Sequence, residues 1–148
     1  MRILIKALCV ALALVATPTF ASPAEEASAV VDQWSAIYSA NDRNALAKLY
    51  APDALLLGTT DAVATRGTDA IWEYFVALEK GGRRNAIQEK TAIVLSESAV
   101  VVAGFYDFAR KEQNYEPRPS RFTFVVVKRD GKWVIAHHHS SPRAAQRQ

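Results

Sequence analysis

The chain is short of the residues that carry covalent and metal chemistry, with one cysteine (Cys9), one methionine (Met1) and three histidines in 148 residues. A lone cysteine excludes an internal disulfide framework and a cysteine-built iron–sulfur site. Glycine and proline, six of each, are too few for a collagen-like or low-complexity chain. An excess of one charge is lacking too. Eighteen basic residues stand against fifteen acidic, a net of +3, and two of the basic ones, Arg2 and Lys6, fall in a segment expected to be removed. The near balance that remains offers no concentrated basic face, so neither nucleic acid nor an anionic membrane is expected as a partner. What is abundant is apolar: half of the residues, enough for one core and too little for two domains of ordinary size.

Residues 1–21 read as a secretory leader. Arg2 and Lys6 make a positive start, Ala7 to Ala16 is an unbroken small and aliphatic run, and Thr19-Phe20-Ala21 puts small residues where a signal peptidase cuts. The run is only half the roughly twenty residues a membrane crossing needs. The expected mature chain spans 22–148, begins at Ser22, has no cysteine or methionine, and is periplasmic or secreted with no membrane attachment.

Ser22 and Glu25 fit a capping box, with Pro23 at the first helical position. Val30, Val31, Trp34, Ile37 and Tyr38 then follow helical spacing up to Asn41-Asp42. A second short helix is expected through Leu46, Leu49 and Tyr50, broken by Pro52, followed by a strand from Ala54 to Thr59. Arg66-Gly67 turns the chain, Thr68 is the expected cap of a third helix carrying Ile71, Tyr74, Phe75 and Leu78, and Gly81-Gly82 ends it. Four strands follow, Asn85 to Leu95, Ala99 to Ala109, Arg121 to Lys128 and Lys132 to Ser140, the last two joined by a tight Asp130-Gly131 turn. Helices first and strands later predict an α+β domain with an antiparallel sheet covered on one face. Residues 142–148 have no apolar anchor and are expected to fray.

The most distinctive stretch is Arg129-Asp130-Gly131-Lys132-Trp133 followed by His137, His138, His139, Ser140 and Ser141. It resembles the C-terminal signature of the calcium/calmodulin-dependent protein kinase II association domain, a member of the nuclear transport factor 2-like superfamily that also holds ketosteroid isomerases and polyketide cyclases. The order of elements over the rest of the expected mature chain is similar to that family's as well. The resemblance implies a cone of three helices packed into a curved sheet, a pocket between them, and an exposed sheet face used for dimers and larger rings. Of the kinase itself only the association domain is matched, so no kinase activity is expected, and the likeness is to the stand-alone exported bacterial relatives. One departure stands out: the kinase domains carry an arginine six residues before the turn aspartate, where this chain has Phe124.

A pocket inside the cone would draw its lining from Trp34, Tyr38, Tyr106, Arg121, Phe124, His137 and His139. Strict strand alternation puts His137 and His139 on one face with Trp133 and Ile135, and His138 on the other with Val134 and Ala136. An i, i+2 histidine pair can bind zinc. Here it would need a carboxylate such as Asp107 or Asp53 to complete the set, so hydrogen bonding inside the cone or at a subunit contact is the stronger expectation, and no metal or cofactor is expected. Among acids, Asp53 and Asp61 sit in turn contexts. Asp107 lies inside an apolar strand and needs a partner, for which Arg110, Arg121 and the histidine pair are available. Arg121 opens a strand and could receive an anionic ligand or simply mark its solvent end.

Two functions compete. The favoured one is an exported, self-associating module, a homodimer or larger ring, whose pocket takes a small ligand, an anion being one option. The other is a cofactor-free isomerase or cyclase moving a proton with Asp107 and Tyr38, His137 or His139. The sequence leaves open whether the protein is an enzyme.

Overall fold

The computed structural model describes residues 21–144, so all of the expected leader but Ala21, and residues 145–148, lie outside the described residues. Helix α1 (Pro23–Ala40) begins as the sequence requires. The Ser22 hydroxyl accepts from the Glu25 amide at 3.3 Å, and the Glu25 carboxylate accepts from the Ser22 amide at 2.8 Å. The helix ends at Asn41, whose backbone is left-handed at φ 60°. Its buried stripe is Ala27, Val30, Val31, Trp34 and Ser35. Burying Trp34 alone removes on the order of 200 Å² from water, about 5 kcal/mol at ~25 cal/mol per Å².

Helix α2 (Arg43–Ala47) is shorter than expected, because strand β1 (Tyr50–Leu57) already starts at Tyr50 and contains Pro52. The proline is tolerated because the parallel pairing of β1 with the last strand is interrupted between Tyr50 and Leu55, so no ladder donor is needed there. After the two-residue strand β2 (Thr65–Arg66), helix α3 (Thr68–Tyr74) is capped by Gly67 at φ 81° with no side-chain cap bond, so Thr68 is its first residue and not its cap. A 3-10 segment (Phe75–Lys80) continues it to Gly81.

Strands β3 (Arg83–Ser96), β4 (Ala99–Arg110), β5 (Arg118–Arg129) and β6 (Lys132–Pro142) form the rest of a sheet of order β2-β1-β6-β5-β4-β3. All neighbours are antiparallel except β1 and β6. The Asp130-Gly131 hairpin has both residues at positive φ, 50° and 76°. Pairing also runs further than expected at the end: Pro142 belongs to β6, and the Arg143 amide donates to the Pro119 carbonyl at 2.9 Å.

Two of the bulges in the sheet bear on the site. Ile87 opposes Tyr106 while Glu89 opposes Phe105, leaving Gln88 as the extra residue of β3. Gly104 faces this bend, where a Cβ would run into the Glu89 carbonyl oxygen, so the strands close on each other only because it is glycine. In β6, Ile135 opposes Val126 and His137 opposes Val125, so Ala136 is extra. The curved sheet wraps its concave face around α1, and Val100, Val102, Phe122, Phe124, Val126 and Ile135 meet Trp34 and Val31 in the core.

Candidate functional site

The open end of the cone holds a cavity of about 410 Å³. Its inner wall is aromatic: Trp34 and Tyr38 one turn apart on α1, Phe108 on β4, Tyr74 and Phe75 where α3 runs into the 3-10 segment. Trp34 and Tyr38 stack at 5.3 Å, and the edges of Phe108 and Phe75 meet Trp34 at 6.4 and 6.3 Å. Hydroxyls of Thr59, Thr60, Ser120 and Ser140 and the ring of His138 supply the polar part. At the mouth stand three guanidinium groups, those of Arg83, Arg110 and Arg118. Arg83 and Arg110 meet because they are paired at the ends of β3 and β4. Among the described residues no Asp or Glu lines the cavity.

At the floor a directed chain of hydrogen bonds runs through His138, which is 2% exposed. Trp34 Nε1 donates to Tyr50 Oη at 2.8 Å, Tyr50 Oη lies 2.9 Å from His138 Nδ1, and His138 Nε2 lies 3.3 Å from Tyr106 Oη. Indole nitrogen can only donate. The arrangement that uses every donor sends the Tyr50 proton to Nδ1 and leaves the imidazole proton on Nε2, donating to Tyr106. Burial pushes the His138 pKa well below its ordinary value, and the neighbouring His137 and His139 charges push the same way, so the ring is neutral at pH 7. Phe124 stacks on it at 3.9 Å. Burial raises the Tyr38 phenol pKa as well, opposed by the charges of Arg83 and Arg110.

Of the residues expected here, Trp34 and Tyr38 line the cavity. Tyr106 and Phe124 sit directly behind it, fully buried and touching His138. Five expectations are corrected. His137 and His139 lie on the convex face, because the extra residue Ala136 shifts the alternation so that Ile135 and His138, three apart, both point inward. His139 is exposed opposite Thr123, and His137, half-buried opposite Val125, has its pKa lowered by that burial and by His139. Arg121 is exposed on the same convex face, between Phe105 and Ser141. Asp107 is also convex: its carboxylate accepts from Gln88 Nε2 at 2.8 Å and meets neither Tyr38 nor a histidine. The turn expected at Asp61 is there, its carboxylate accepting from Thr65 Oγ1 at 3.3 Å, whereas Asp53 lies inside strand β1 and not in a turn, exposed and paired with Arg129 at 2.5 Å. Among the described residues no three His, Cys, Asp or Glu side chains converge to hold a metal.

The sequence reading missed Arg83, Arg118, Phe75, Tyr74, His138 and Ser140 as cavity residues and used Arg110 only as a partner for Asp107. A signal was there: Tyr106, Phe108 and Arg110 alternate on one face of β4, which puts Asp107 on the other.

Residues 27–145 match the model of the SnoaL-like domain. The chain belongs to this family. Among solved structures, a protein from Xanthomonas campestris assigned as a calcium/calmodulin dependent protein kinase II association domain is 32% identical, with TM-score 0.75 over 90% of this chain and 100% of that one. A ketosteroid isomerase-like protein from Erwinia carotovora atroseptica shares the fold at 18% identity and TM-score 0.73, covering 85% of this chain and 100% of that one. An NTF2-like protein with a cystatin-like fold from Novosphingobium aromaticivorans does so at 15% identity and TM-score 0.70, with 82% of each chain covered. No curated protein matches the chain. For this SnoaL-like chain the α+β cone is therefore the family fold, and the chemistry has to be argued from its own cavity.

Proposed function

We propose that this SnoaL-like protein is a binding module for a small amphipathic anion, an apolar ring system bearing a carboxylate, held with its ring against the aromatic wall and its charge toward the mouth. The observation that carries the reading is the convergence of Arg83, Arg110 and Arg118 on an aromatic cavity to which no described carboxylate contributes. Guanidinium groups match carboxylates in geometry and charge. A volume of about 410 Å³ is at the small end of ligand sites, which suits one or two fused rings. The isomerase or cyclase alternative lacks its base, since Asp107 is outside the cavity and both nitrogens of the neutral His138 are engaged by tyrosines. Calorimetric titration with 2-naphthoate and 2-naphthamide tests the reading: the carboxylate should bind at least tenfold tighter, and equal affinities would refute it.

Export and self-association belong to the same reading. The convex face carries exposed Leu57, Ile93 and Leu95 beside half-buried Val101, Phe105, Val125 and Val127, more apolar surface than a solitary domain leaves open, and a second copy would cover it. Light scattering should give a dimer or larger ring, and a monomer at tens of micromolar would refute assembly. Intact mass after expression in a Gram-negative host should correspond to a start at Ser22, and a full-length species retaining Met1 would refute export.

A further inference from the structure

The three arginines at the mouth are not equivalent, and the difference rests on how each is held. Arg83 is fixed. Its amide donates to Asn41 Oδ1 at 2.9 Å and its carbonyl accepts from Asn41 Nδ2 at 3.0 Å, tying the start of β3 to the left-handed end of α1. Its side chain is only 12% exposed, and among the described residues Nε and Nη1 are buried without an aligned hydrogen-bond acceptor. Among the described residues the one anion beside it is Glu112, whose Oε1 approaches Nη1 to 2.6 Å, close enough to pair charges but out of line for a hydrogen bond. Buried donors left without an acceptor are costly, so this guanidinium is better served by a carboxylate that can come at it in line.

Glu112 is held differently. It stands on a single 3-10 turn (Lys111–Gln113) between β4 and β5, closed by Asn114 and Tyr115, both left-handed at φ 51° and 57°. The turn backbone is anchored, with the Lys111 amide on the Gly82 carbonyl and the Tyr115 amide on the Arg110 carbonyl, both at 2.9 Å. The Glu112 side chain is 55% exposed and can rotate into water without disturbing those bonds.

We infer that Arg83 is the seat of the ligand's carboxylate and that Glu112 is a tethered competitor for it, which restricts the ligands to arene carboxylates whose ring burial outbids the internal carboxylate. This deepens the reading of the cavity as an anion site and rests on it. The exchange leaves the charge at Arg83 unchanged, one carboxylate leaving as another arrives. A tethered group acts at an effective concentration in the millimolar range, so a small anion such as acetate, with no apolar body, cannot displace it at lower concentrations. A ring resting against Tyr38, Phe108 and Tyr74 adds the apolar burial that acetate lacks.

The test is calorimetric titration of the purified protein, of Glu112→Gln and of Arg83→Gln with 2-naphthoate, 2-naphthamide and sodium acetate. Removing the competitor should tighten 2-naphthoate about fivefold, the worth of a half-exposed ion pair, and leave 2-naphthamide unchanged. Glu112→Gln should also gain acetate binding that the unaltered protein lacks. Arg83→Gln should lose the preference for carboxylate over amide. Because Glu112 is on the surface, its variant tests the competitor even if Arg83→Gln fails to fold. If Glu112→Gln binds 2-naphthoate no tighter, the competitor role is overturned while a carboxylate preference in the unaltered protein keeps the anion site. If neither of these two proteins prefers the carboxylate, the anion site falls and this inference with it.

Discussion

The concave and convex faces of the sheet are built from the same strands, residue by alternate residue, and they share hardly any chemistry. The concave side of β4, β5 and β6 carries Tyr106, Phe108, Phe122, Phe124 and His138, packed on a helix and leading to arginines at the rim. The convex side carries Val101, Val125 and Val127 with His137, His139, Asp107 and Arg121, none of which reaches the cavity. Residue type does not decide which is which. Three consecutive histidines are divided two to one, and a one-residue bulge decides the division.

Removing the inward histidine should have the largest effect. His138→Leu would take away the imidazole that the buried hydroxyls of Tyr50 and Tyr106 meet and the ring that packs on Phe124. A loss of about 3 kcal/mol, from two buried hydroxyls left without that partner, is expected in urea denaturation. Deletion of Ala136 should cost far less, because it leaves Ile135 and His138 two apart and both still inward. A His138→Leu variant of near-normal stability would mean that the inward histidine does not hold the core of the concave face.

Next is the pH dependence of stability. His138 has its pKa lowered by burial, so below about pH 6.5 the unfolded chain binds a proton that the folded chain refuses. The unfolded state then carries more protons, and stability must fall as pH falls, by up to about 1.4 kcal/mol per unit below pH 6.5, with no such term above it. His138→Gln keeps a donor and an acceptor and should flatten most of that slope, leaving the smaller part due to His137. An unchanged slope in urea midpoints between pH 7 and 5 would place the neutral buried histidine elsewhere.

The smallest effect is expected on the other face. Replacing His137 and His139 together with Gln, or Asp107 with Asn, should change the affinity for 2-naphthoate by less than twofold and monomer stability by about 0.5 kcal/mol or less, as for other surface substitutions. A tenfold loss of binding on either change would show that the convex face is part of the site.

Much of this fold was legible because its signals are local. The capping box at Ser22 and Glu25, the helical spacing up to Tyr38, and the positive-φ hairpin at Asp130-Gly131 each depend on a few neighbouring residues, and each formed as read. The cavity was less legible. Trp34 and Tyr38 could be placed because helix periodicity is rigid, whereas the strand residues depended on an alternation that one extra residue reverses. Nothing local to Ala136 announces a bulge; it exists because Ile135 and His138 must both reach the concave core. Arg83 escaped notice for a related reason, since its place at the mouth comes from pairing with Arg110, far away in sequence.

The imidazole resonances of the three histidines, followed during titration with 2-naphthoate at pH 7, decide whether His138 and not the flanking pair faces an anion-binding cavity. The His138 ring, in its Nε2-protonated form, should shift with the binding isotherm while those of His137 and His139 stay in place. Shifts of His137 and His139 with His138 unmoved would contradict that placement.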